Sequence, residues 1–453
     1  MSSNTKFFMR MDDVISGDFG SYQIKERMGK GTFGRVARCI DCLTNQSVAI
    51  KISQLKHYEV TKNEATILQW LSSLGQDKNV VKFITSFQHQ DHYCLVMEHL
   101  DQSLYDFMKG RQFKPLHLLD ICYITKQLLE TFQELEKYKL VHGDLKLDNI
   151  MLVNHKVEPL KIKLIDFGFS TTVGSLDPGS VLQAIGYRAP EVSLGTKLDE
   201  AVDMWSLGCV MAFLFIGKNF FPEKCEYEMI RIITQIQGMP DVQQLQEGLF
   251  VNHFFKEIHG TYQLISPKDY MDTTRQPYAP CKNVSKNFTC LGDMSAYRPQ
   301  QILEEEKEET GQFFIFLNEF LQVNPAKRIT PGKALTHPFI KQMIAMQTTD
   351  SRIPIDSCLR SKHSSTTARE NDTSKVTTGG PKTNHSHSED EMKTRNKKIQ
   401  ERVPTGWANS NVGMESDHIN QSGCSTELKS LPSQSKEHIA CANQDQKLIN
   451  YKA

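Results

Sequence analysis

The most informative part of the chain is the stretch His142-Gly143-Asp144-Leu145-Lys146-Leu147-Asp148-Asn149, which precedes the apolar run Ile150-Met151-Leu152-Val153. Farther along, Leu164-Ile165-Asp166-Phe167-Gly168 closes a second apolar run with an acidic residue. Carboxylate and amide oxygens that stand at the ends of strands are suitable ligands for Mg²⁺. The acidic and amide side chains of the two stretches are therefore in place to hold Mg²⁺ through oxygen ligands.

A glycine-rich stretch lies near the start of the chain and reads Gly29-Lys30-Gly31-Thr32-Phe33-Gly34-Arg35-Val36. Glycines allow the backbone to fold tightly over phosphate groups and to present amide N–H groups to them. Because a predicted strand follows the glycines, the pattern favours a flap between two strands over a dinucleotide-binding turn, in which a helix would follow. Taken alone, the stretch is equally compatible with a plain hairpin turn.

A single lysine ends the apolar strand Val48-Ala49-Ile50-Lys51, and Glu64 lies on the amphipathic helix that follows. A buried lysine without a partner is costly, so this placement predicts that Lys51 pairs with Glu64 and with the α and β phosphates of a nucleotide. The alternative is an exposed lysine at the end of a strand.

The pattern of apolar residues changes near residue 100 and predicts two lobes. Residues 21–100 contain short apolar runs with β-branched residues and turns, which is typical of an antiparallel sheet, and one amphipathic helix from Tyr58 to Leu74. Residues 101–346 contain longer runs with helical periodicity. The predicted strands are Tyr22–Ile24, Gly34–Ile40, Ser47–Ile52, Val80–Phe87 and Tyr93–Glu98, and the predicted helices of the second lobe are Leu118–Lys137, Ala201–Ile216, Tyr227–Gln237 and Gln312–Gln322. The predicted fold class is α+β, with a small antiparallel β lobe that carries one helix and a larger, mainly helical lobe.

The two ends of the chain differ from this ordered part. Residues 1–20 form an N-terminal extension, and residues 347–453 are rich in Ser and Thr and poor in apolar residues, which predicts a disordered tail. Within the tail, the basic cluster Lys393-Thr394-Arg395-Asn396-Lys397-Lys398 is either a nuclear import signal or solvated charge.

The composition of the chain limits its partners. It carries 53 Lys and Arg against 53 Asp and Glu, so no net charge attracts it to nucleic acid or to an acidic membrane. No run approaches the roughly 20 apolar residues that a membrane span requires. The 11 cysteines and an N-terminus without a signal-peptide pattern indicate reduced thiols in the cytosol or nucleus. We therefore expect no direct nucleic-acid or membrane partner.

Taken together, these motifs make the sequence resemble the eukaryotic protein kinases from about Tyr22 to Met346. The motifs that carry the resemblance are Gly29–Val36, Lys51 with Glu64, His142–Asn149, Leu164–Gly168 and Ala189-Pro190-Glu191. Three stretches resemble the group that includes the cyclin-dependent and dual-specificity tyrosine-regulated kinases. They are Asp203–Cys209, Tyr187–Glu191 and an insert between about Met239 and Thr310. The homeodomain-interacting protein kinases are similar in Leu104–Phe107, Asn149–Val153 and Gln235–Gly238.

The resemblance implies a serine/threonine kinase that uses ATP and Mg²⁺. Asp144 is then the residue that orients the substrate hydroxyl and accepts its proton, and Lys146 neutralises charge on the transferring phosphoryl group. Lys51, held by Glu64, orients the α and β phosphates. The implied metal ligands are Asn149 and Asp166, and the implied nucleotide contacts are Gly29, Lys30, Gly31, Thr32, Phe33, Gly34, Val36, Ala49, Lys51, Met97, Glu98, Leu100 and Met151.

The same resemblance implies how adenine and substrate are bound. Adenine is expected between Val36 and Ala49 on one side and Met151 on the other. Its hydrogen bonds are expected to the backbone at Glu98 and Leu100, with Met97 as the gatekeeper residue. A lysine two positions after the catalytic Asp is the serine/threonine pattern, and Arg188 accompanies, in this group, a substrate proline directly after the acceptor. The implied partners are protein substrates, transcription factors and co-regulators among them, and the implied location is nuclear, cytoplasmic or both.

Four positions depart from the family pattern. Gly143 replaces an arginine through which phosphorylation orders the active site, and Val181 stands where relatives have a tyrosine that they phosphorylate on themselves. Ala184 stands where relatives have a Ser or Thr that bridges the catalytic Asp and Lys, and Gly186 replaces an aromatic residue. The alternative is therefore a pseudokinase or scaffold that binds nucleotide without efficient transfer.

Two further signals have structural interpretations. Arg328 resembles the kinase arginine that pairs with the glutamate of Ala189-Pro190-Glu191, which predicts a structural ion pair. The acidic run Glu304-Glu305-Glu306-Lys307-Glu308-Glu309 predicts a solvated helix face rather than a surface that binds basic substrates.

Overall fold

The computed structural model describes residues 10–31, 33–75, 79–280, 282 and 284–349. From residue 350 onward, the predicted disordered tail and its basic cluster lie outside the described residues. Thr32 of the glycine-rich stretch also lies outside them.

The first lobe is an antiparallel sheet with one long helix, α1 (Tyr58–Ser73). The sheet has the spatial order β1-β2-β3-β4-β6-β5. Its strands are β1 (Val14–Gly17), β2 (Gly20–Lys30), β3 (Arg35–Asp41), β4 (Ser47–Gln54), β5 (Phe83–His89) and β6 (His92–Glu98). Helix α1 buries Ala65, Leu68 and Leu71, three residues at helical spacing, and this apolar face packs against β5 and β6.

The position of β4 explains the burial of its lysine. Because β4 lies between β3 and β6, both of its hydrogen-bonding edges are paired, and its six inner residues are buried on both faces of the sheet. Lys51 is opposed by Val36 on β3 and by Leu95 on β6. Only 7% of Lys51 is exposed, so its ammonium group must find its partners inside the protein.

The second lobe is mainly helical, and the predicted α+β fold class is confirmed. Its helices are α2 (Leu104–Gly110), α3 (Leu118–Lys137), α4 (Pro190–Leu194), α5 (Ala201–Ile216), α6 (Glu226–Gln237), α7 (Val242–Glu247), α8 (Pro267–Thr274), α9 (Gln300–Glu305), α10 (Lys307–Phe320), α11 (Pro331–Leu335) and α12 (Pro338–Thr349). Its short two-stranded sheets are β7 (Leu140–Val141) with β10 (Thr171–Thr172), β8 (Ile150–Asn154) with β9 (Glu158–Leu164), and β11 (Phe255–Ile258) with β12 (Thr261–Leu264).

Helix α5 lies at the centre of this lobe. It is apolar on all sides and buried along almost its whole length, and Trp205 is fully buried. Helices α3 and α10 pack against it. Across the residues described here, we find no helix with the length and apolar character needed to cross a membrane.

Most predicted elements have different bounds in the structure, and the position of the first residue differs most for two of them. The strand predicted from Val80 begins at Phe83, because Val80 instead forms a parallel bridge to Leu164 of β9. The helix predicted from Gln312 begins at Lys307.

The prediction of a solvated face for the acidic run is wrong for Glu306. This residue lies between α9 and α10, and only 12% of its side chain is exposed. It forms an ion pair with Arg298, whose side chain is fully buried, and it accepts a hydrogen bond of 2.7 Å from the backbone N–H of Leu118. The end of the insert is thereby fixed to the start of α3.

Gly217 ends helix α5 in the left-handed conformation, with a φ of +69°. A Cβ atom at this position would collide with the carbonyl oxygen of Phe113. We expect Gly217→Ala to lower the free energy of unfolding by about 2 kcal/mol or more, since both backbone strain and a collision are introduced. The measurement is the thermal unfolding midpoint. Gly110→Ala is the matched control, because a Cβ at Gly110 meets nothing within 4 Å; equal midpoints for the two variants would contradict the prediction.

Candidate active site

The hairpin β8–β9 places the two predicted metal ligands at the same end. Asn149 directly precedes β8, and Asp166 follows β9 by two residues. Ile150 and Leu164 are partners in the register of the hairpin. In addition, the backbone N–H of Ile165 donates to the carbonyl of Asn149 at 2.9 Å. Two residues that are far apart in sequence therefore flank one point at the edge of the second lobe.

Lys51 joins the two lobes at this point. Its Nζ lies 2.7 Å from Oε2 of Glu64 on α1 and 2.7 Å from Oδ1 of Asp166. Burial alone would lower the pKa of Lys51, but the charges of Asp166 and Glu64 outweigh burial and raise it. Burial would likewise raise the pKa of Asp166, but Lys51 lowers it below its ordinary value. Lys51 and Asp166 are thus both charged at neutral pH.

The stretch His142–Asn149, here called the catalytic loop, holds the second group of polar side chains. Lys146 Nζ donates to Oδ2 of Asp144 at 2.9 Å. The amide of Asn149 donates to the same oxygen at 3.0 Å and to the carbonyl of Asp144 at 2.8 Å. Burial raises the pKa of Asp144, and the charge of Lys146 opposes this rise. A fixed carboxylate with a raised pKa is suited to accept a proton from a substrate hydroxyl.

A carboxylate on α5 fixes the backbone of the catalytic loop. Both carboxylate oxygens of Asp203 accept hydrogen bonds, from the N–H of His142 at 2.7 Å and from the N–H of Gly143 at 2.9 Å. Gly143 has a φ of +76°, and a Cβ at this position would lie 3.2 Å from the carbonyl oxygen of Phe169. Glycine therefore fits this position without strain. No role was predicted for Asp203; the signal that could have found it is a lone acidic residue within a largely apolar helix.

The glycine-rich stretch forms the turn between β2 and β3, as the flap interpretation predicts. The N–H of Gly31 donates to the carbonyl of Gly34 at 2.9 Å. A Cβ at Gly34 would lie 2.5 Å from the carbonyl oxygen of Ile52, so this glycine is required for the close approach of the flap to β4. Phe33 is buried, and its ring lies 5.3 Å from the ring of Phe169. The flap is thus packed against the residues that follow Asp166.

The predicted adenine contacts lie around the connection between the lobes. Ala49 on β4 is the register partner of Met97 on β6, and both are buried. Met151 on β8 is half-buried and bridges to Ser103. Among the described residues, the backbone N–H and C=O of Leu100 have no hydrogen-bond partner. This leaves a donor and an acceptor beside the predicted adenine position.

Glu98 fixes this connection through its side chain. Its Oε1 accepts from the backbone N–H of Lys82 and from Nζ of Lys163, each at 2.6 Å. These contacts tie the end of β6 to β9 of the second lobe. Oε1 of Glu98 is therefore occupied, and so is the backbone N–H of Glu98, which donates to the carbonyl of Lys82 at 3.1 Å.

The donor set fits Mg²⁺ held jointly by protein and nucleotide. Asn149 uses its N–H groups for hydrogen bonds, so its amide oxygen is left for a cation, and Asp166 supplies a carboxylate. Within the described ranges, no group of three His, Cys, Asp or Glu residues is arranged to hold a metal alone. Mg²⁺ in proteins is commonly bound by one or two carboxylates together with substrate phosphates, and this site has that composition.

The segment from Asp166 to Glu191, here called the activation segment, is fixed in its second half by Gln183. This residue has a φ of +63°. Its N–H donates to the carbonyl of Gly143 at 2.9 Å. Its side-chain amide donates to the carbonyl of Val202 at 2.7 Å and to Oγ of Ser206 at 2.9 Å, and it accepts from the N–H of Ala189 at 2.9 Å. Gln183 therefore connects the activation segment, the catalytic loop and α5.

The remaining departures from the family pattern lie in the same segment. Val181 and Ala184 are half-buried. The bond between Lys146 and Asp144 is made directly, with Ala184 supplying no hydroxyl. A Cβ at Gly186 would lie 3.0 Å from Cγ of Glu223, so the Glu223 side chain takes the space beside this glycine.

The predicted structural ion pair is present. Nη1 and Nη2 of Arg328 lie 2.7 Å and 3.0 Å from the two carboxylate oxygens of Glu191, and both side chains are fully buried. The pair fixes the end of the activation segment to the loop that follows α10.

Comparisons with known proteins agree with this geometry. The family model described as protein kinase domain matches residues 22–340. The chain is 38% identical over 339 residues to homeodomain-interacting protein kinase 2 of Mus musculus, an alignment that covers 72% of this chain and 28% of the relative. It is 34% identical over 360 residues to homeodomain-interacting protein kinase 1 of Caenorhabditis elegans, with 75% and 42% covered. It is 34% identical over 351 residues to serine/threonine-protein kinase ppk15 of Schizosaccharomyces pombe, with 74% and 65% covered. The chain thus spans only 28% of the length of the mouse relative.

Proposed function

The chain belongs to the protein kinase family and is similar to the homeodomain-interacting protein kinases, and from this premise we propose that it transfers the γ-phosphoryl group of ATP to Ser or Thr of protein substrates. One observation carries the proposal. Lys51 contacts Glu64 of the first lobe and Asp166 of the second at the same distance of 2.7 Å. This arrangement aligns the groups that bind phosphate and metal, which is the condition for phosphoryl transfer in protein kinases.

The groups around the substrate hydroxyl support the same chemistry. Asp144 is fixed by Lys146 and Asn149, so its free oxygen is in place to orient the hydroxyl and accept its proton. Lys146 supplies a positive charge beside the transferring group. Mg²⁺, when bound at Asn149 and Asp166, supplies charge neutralisation of the phosphates.

We propose that the substrates carry proline directly after the acceptor residue. The carbonyl of Gln183 accepts from Nη2 and Nε of Arg188, at 3.0 Å and 3.3 Å. This carbonyl is therefore unavailable to the N–H of the substrate residue that follows the acceptor. An amide N–H left unpaired in a closed site is costly, whereas proline has no N–H to leave unpaired.

The names of the relatives support a narrower proposal about substrates. We propose that transcription factors or co-regulators are among them, and that the chain acts in the nucleus or in both nucleus and cytoplasm. Exclusion of the tagged chain from the nucleus, observed by imaging, would contradict this proposal.

A second candidate function is that of a pseudokinase that binds nucleotide as a scaffold. Ala184 and Val181 favour it. Ala184 lacks the hydroxyl that relatives have beside the catalytic Asp and Lys, and Val181 lacks the hydroxyl that relatives phosphorylate. The intact contacts of Lys51, Asp144 and Asp166 favour the enzyme.

The test is phosphate transfer from ATP with Mg²⁺ to matched peptides that differ at the acceptor or at the residue after it. We expect phosphoserine or phosphothreonine, no phosphotyrosine, and a kcat/KM for a Ser-Pro peptide that exceeds that for Ser-Ala about tenfold, since an unpaired N–H costs on the order of 1.5 kcal/mol. Lys51→Met is the control for contaminating kinases. If the wild type transferred no more phosphate than Lys51→Met but was still thermally stabilised by Mg-ATP, the kinase proposal would be wrong and the pseudokinase proposal would be supported.

A further inference from the structure

Arg188 is a buried cation whose position determines whether the Gln183 carbonyl is occupied. Only 6% of Arg188 is exposed. Besides Gln183, it donates from Nε to the carbonyl of Leu182 at 3.1 Å. These carbonyl contacts satisfy hydrogen bonds but supply no negative charge. A buried guanidinium without a counter-charge is costly, so Arg188 holds this position only if a carboxylate stabilises it there.

Glu226 supplies that carboxylate. Its Oε1 lies 2.8 Å from Nη1 of Arg188. Glu226 is the first residue of α6, where the helix dipole favours a negative charge. The same oxygen accepts a hydrogen bond of 2.7 Å from the hydroxyl of Ser193 on α4. Two elements of the second lobe therefore hold the carboxylate against the guanidinium.

The activation segment offers no alternative counter-charge at position 181. Val181, at the place of the tyrosine in relatives, cannot carry a phosphate. Ser193 and Glu226 belong to α4 and α6, so the charge that stabilises Arg188 is part of the fold and does not depend on a modification of the segment.

We propose that Glu226 and Ser193 are positioning residues that set the preference for proline after the acceptor, by holding Arg188 on the carbonyl of Gln183 without phosphorylation of the segment. The inference rests on the proposed kinase function. Loss of the Glu226 charge releases Arg188 toward solvent and frees the Gln183 carbonyl. The freed carbonyl then accepts the N–H of a residue other than proline, so that such substrates improve.

The test compares three peptides in which the acceptor serine is followed by proline, alanine or N-methylglycine. In the wild type, we expect proline and N-methylglycine to be preferred to alanine, because both lack the N–H. In Glu226→Gln, the ratio of kcat/KM for Ser-Pro to that for Ser-Ala should fall about tenfold, as for loss of a hydrogen bond to a charged group. In Ser193→Ala it should fall only about threefold, because Glu226 keeps its charge and loses one of the hydrogen bonds that hold the carboxylate against Arg188. Phosphatase treatment of the wild type should leave the ratio unchanged.

Glu228→Gln is the matched control for the removal of a carboxylate from α6. Glu228 is buried and pairs with Arg231 and Tyr278, away from the activation segment. This variant should unfold at a lower temperature and keep the wild-type ratio, which separates loss of stability from loss of positioning.

The outcomes are distinguishable. No transfer by the wild type would overturn the kinase function and this inference together. Transfer without preference for proline would leave the kinase and overturn the inference. A wild-type preference that persists in Glu226→Gln, or that is lost on phosphatase treatment, would overturn the inference alone.

Discussion

Replacement of Asp144 by asparagine is expected to lower the kcat of phosphoryl transfer by about three orders of magnitude, within the range by which a positioned general base accelerates reactions. Asparagine has the same shape and keeps an oxygen to accept from Lys146 Nζ and from the amide of Asn149, as Asp144 Oδ2 does at 2.9 Å and 3.0 Å. The variant should therefore fold and bind ATP, and lose only the group that accepts the proton.

Single-turnover transfer to a Ser-Pro peptide measures this loss. Asp148→Asn is the control, because Asp148 lies in the same loop and is exposed. The wild type should also lose activity as pH falls, since protonated Asp144 cannot act as a base. Because burial raises its pKa, this loss should occur above the ordinary value of 3.8. More than about a tenth of wild-type transfer by Asp144→Asn would exclude Asp144 as the base.

Replacement of Glu191 by alanine is expected to lower the free energy of unfolding by about 3 to 5 kcal/mol, because it leaves a buried guanidinium without a counter-charge. Arg328 also donates to the carbonyls of Ala201 and Gln322, at 2.6 Å and 2.9 Å, so it cannot leave its site without breaking further hydrogen bonds. The thermal unfolding midpoint should fall by roughly 6 to 10 °C.

Two comparisons isolate the cause. Lys327→Met removes the charge of an exposed residue next to Arg328. The ion pair between Lys327 and Asp241, at 3.1 Å, contributes less than about 1 kcal/mol to the free energy of unfolding. The double variant Glu191→Leu with Arg328→Met replaces both charges by apolar groups and should recover most of the lost stability. If Glu191→Ala unfolded at the same temperature as Lys327→Met, the buried pair would not be a main contributor to stability.

Local patterns predicted the elements of the fold that have strong periodicity. The bounds predicted for α3, Leu118–Lys137, and for α5, Ala201–Ile216, are confirmed residue for residue. The apolar spacing of α3 and the continuous apolar run of α5 lie within single segments of the chain, and such signals can be read locally. The start of α10 at Lys307 was missed, because the acidic residues that begin it carry no apolar periodicity.

The residues of the candidate site likewise divide into those that local sequence predicted and those that it did not. Lys51, Asp144 and Asp166 each lie in a motif with its own local sequence, so each was predicted separately, and the structure brings them together. Gln183 and Glu226 were missed, because their importance depends on contacts to residues on other elements. A glutamine in a loop and a glutamate at the start of a helix are ordinary in sequence, and only the position of Arg188 between them gives them a role.

The contact between Glu306 and α3 also bears on the synthesis of the protein. Helix α3 begins after His117, whose side chain makes no capping hydrogen bond, and the N–H of Leu118 is satisfied by a carboxylate 188 residues farther along the chain. At translation rates of about 5 to 20 residues per second, that carboxylate leaves the ribosome roughly 10 to 40 s after the helix does. During this interval the first turn of α3 lacks its acceptor, and the apolar face of the helix has yet to meet α10. We therefore expect the nascent second lobe to expose apolar surface, and to be open to misfolding, until translation has passed the insert.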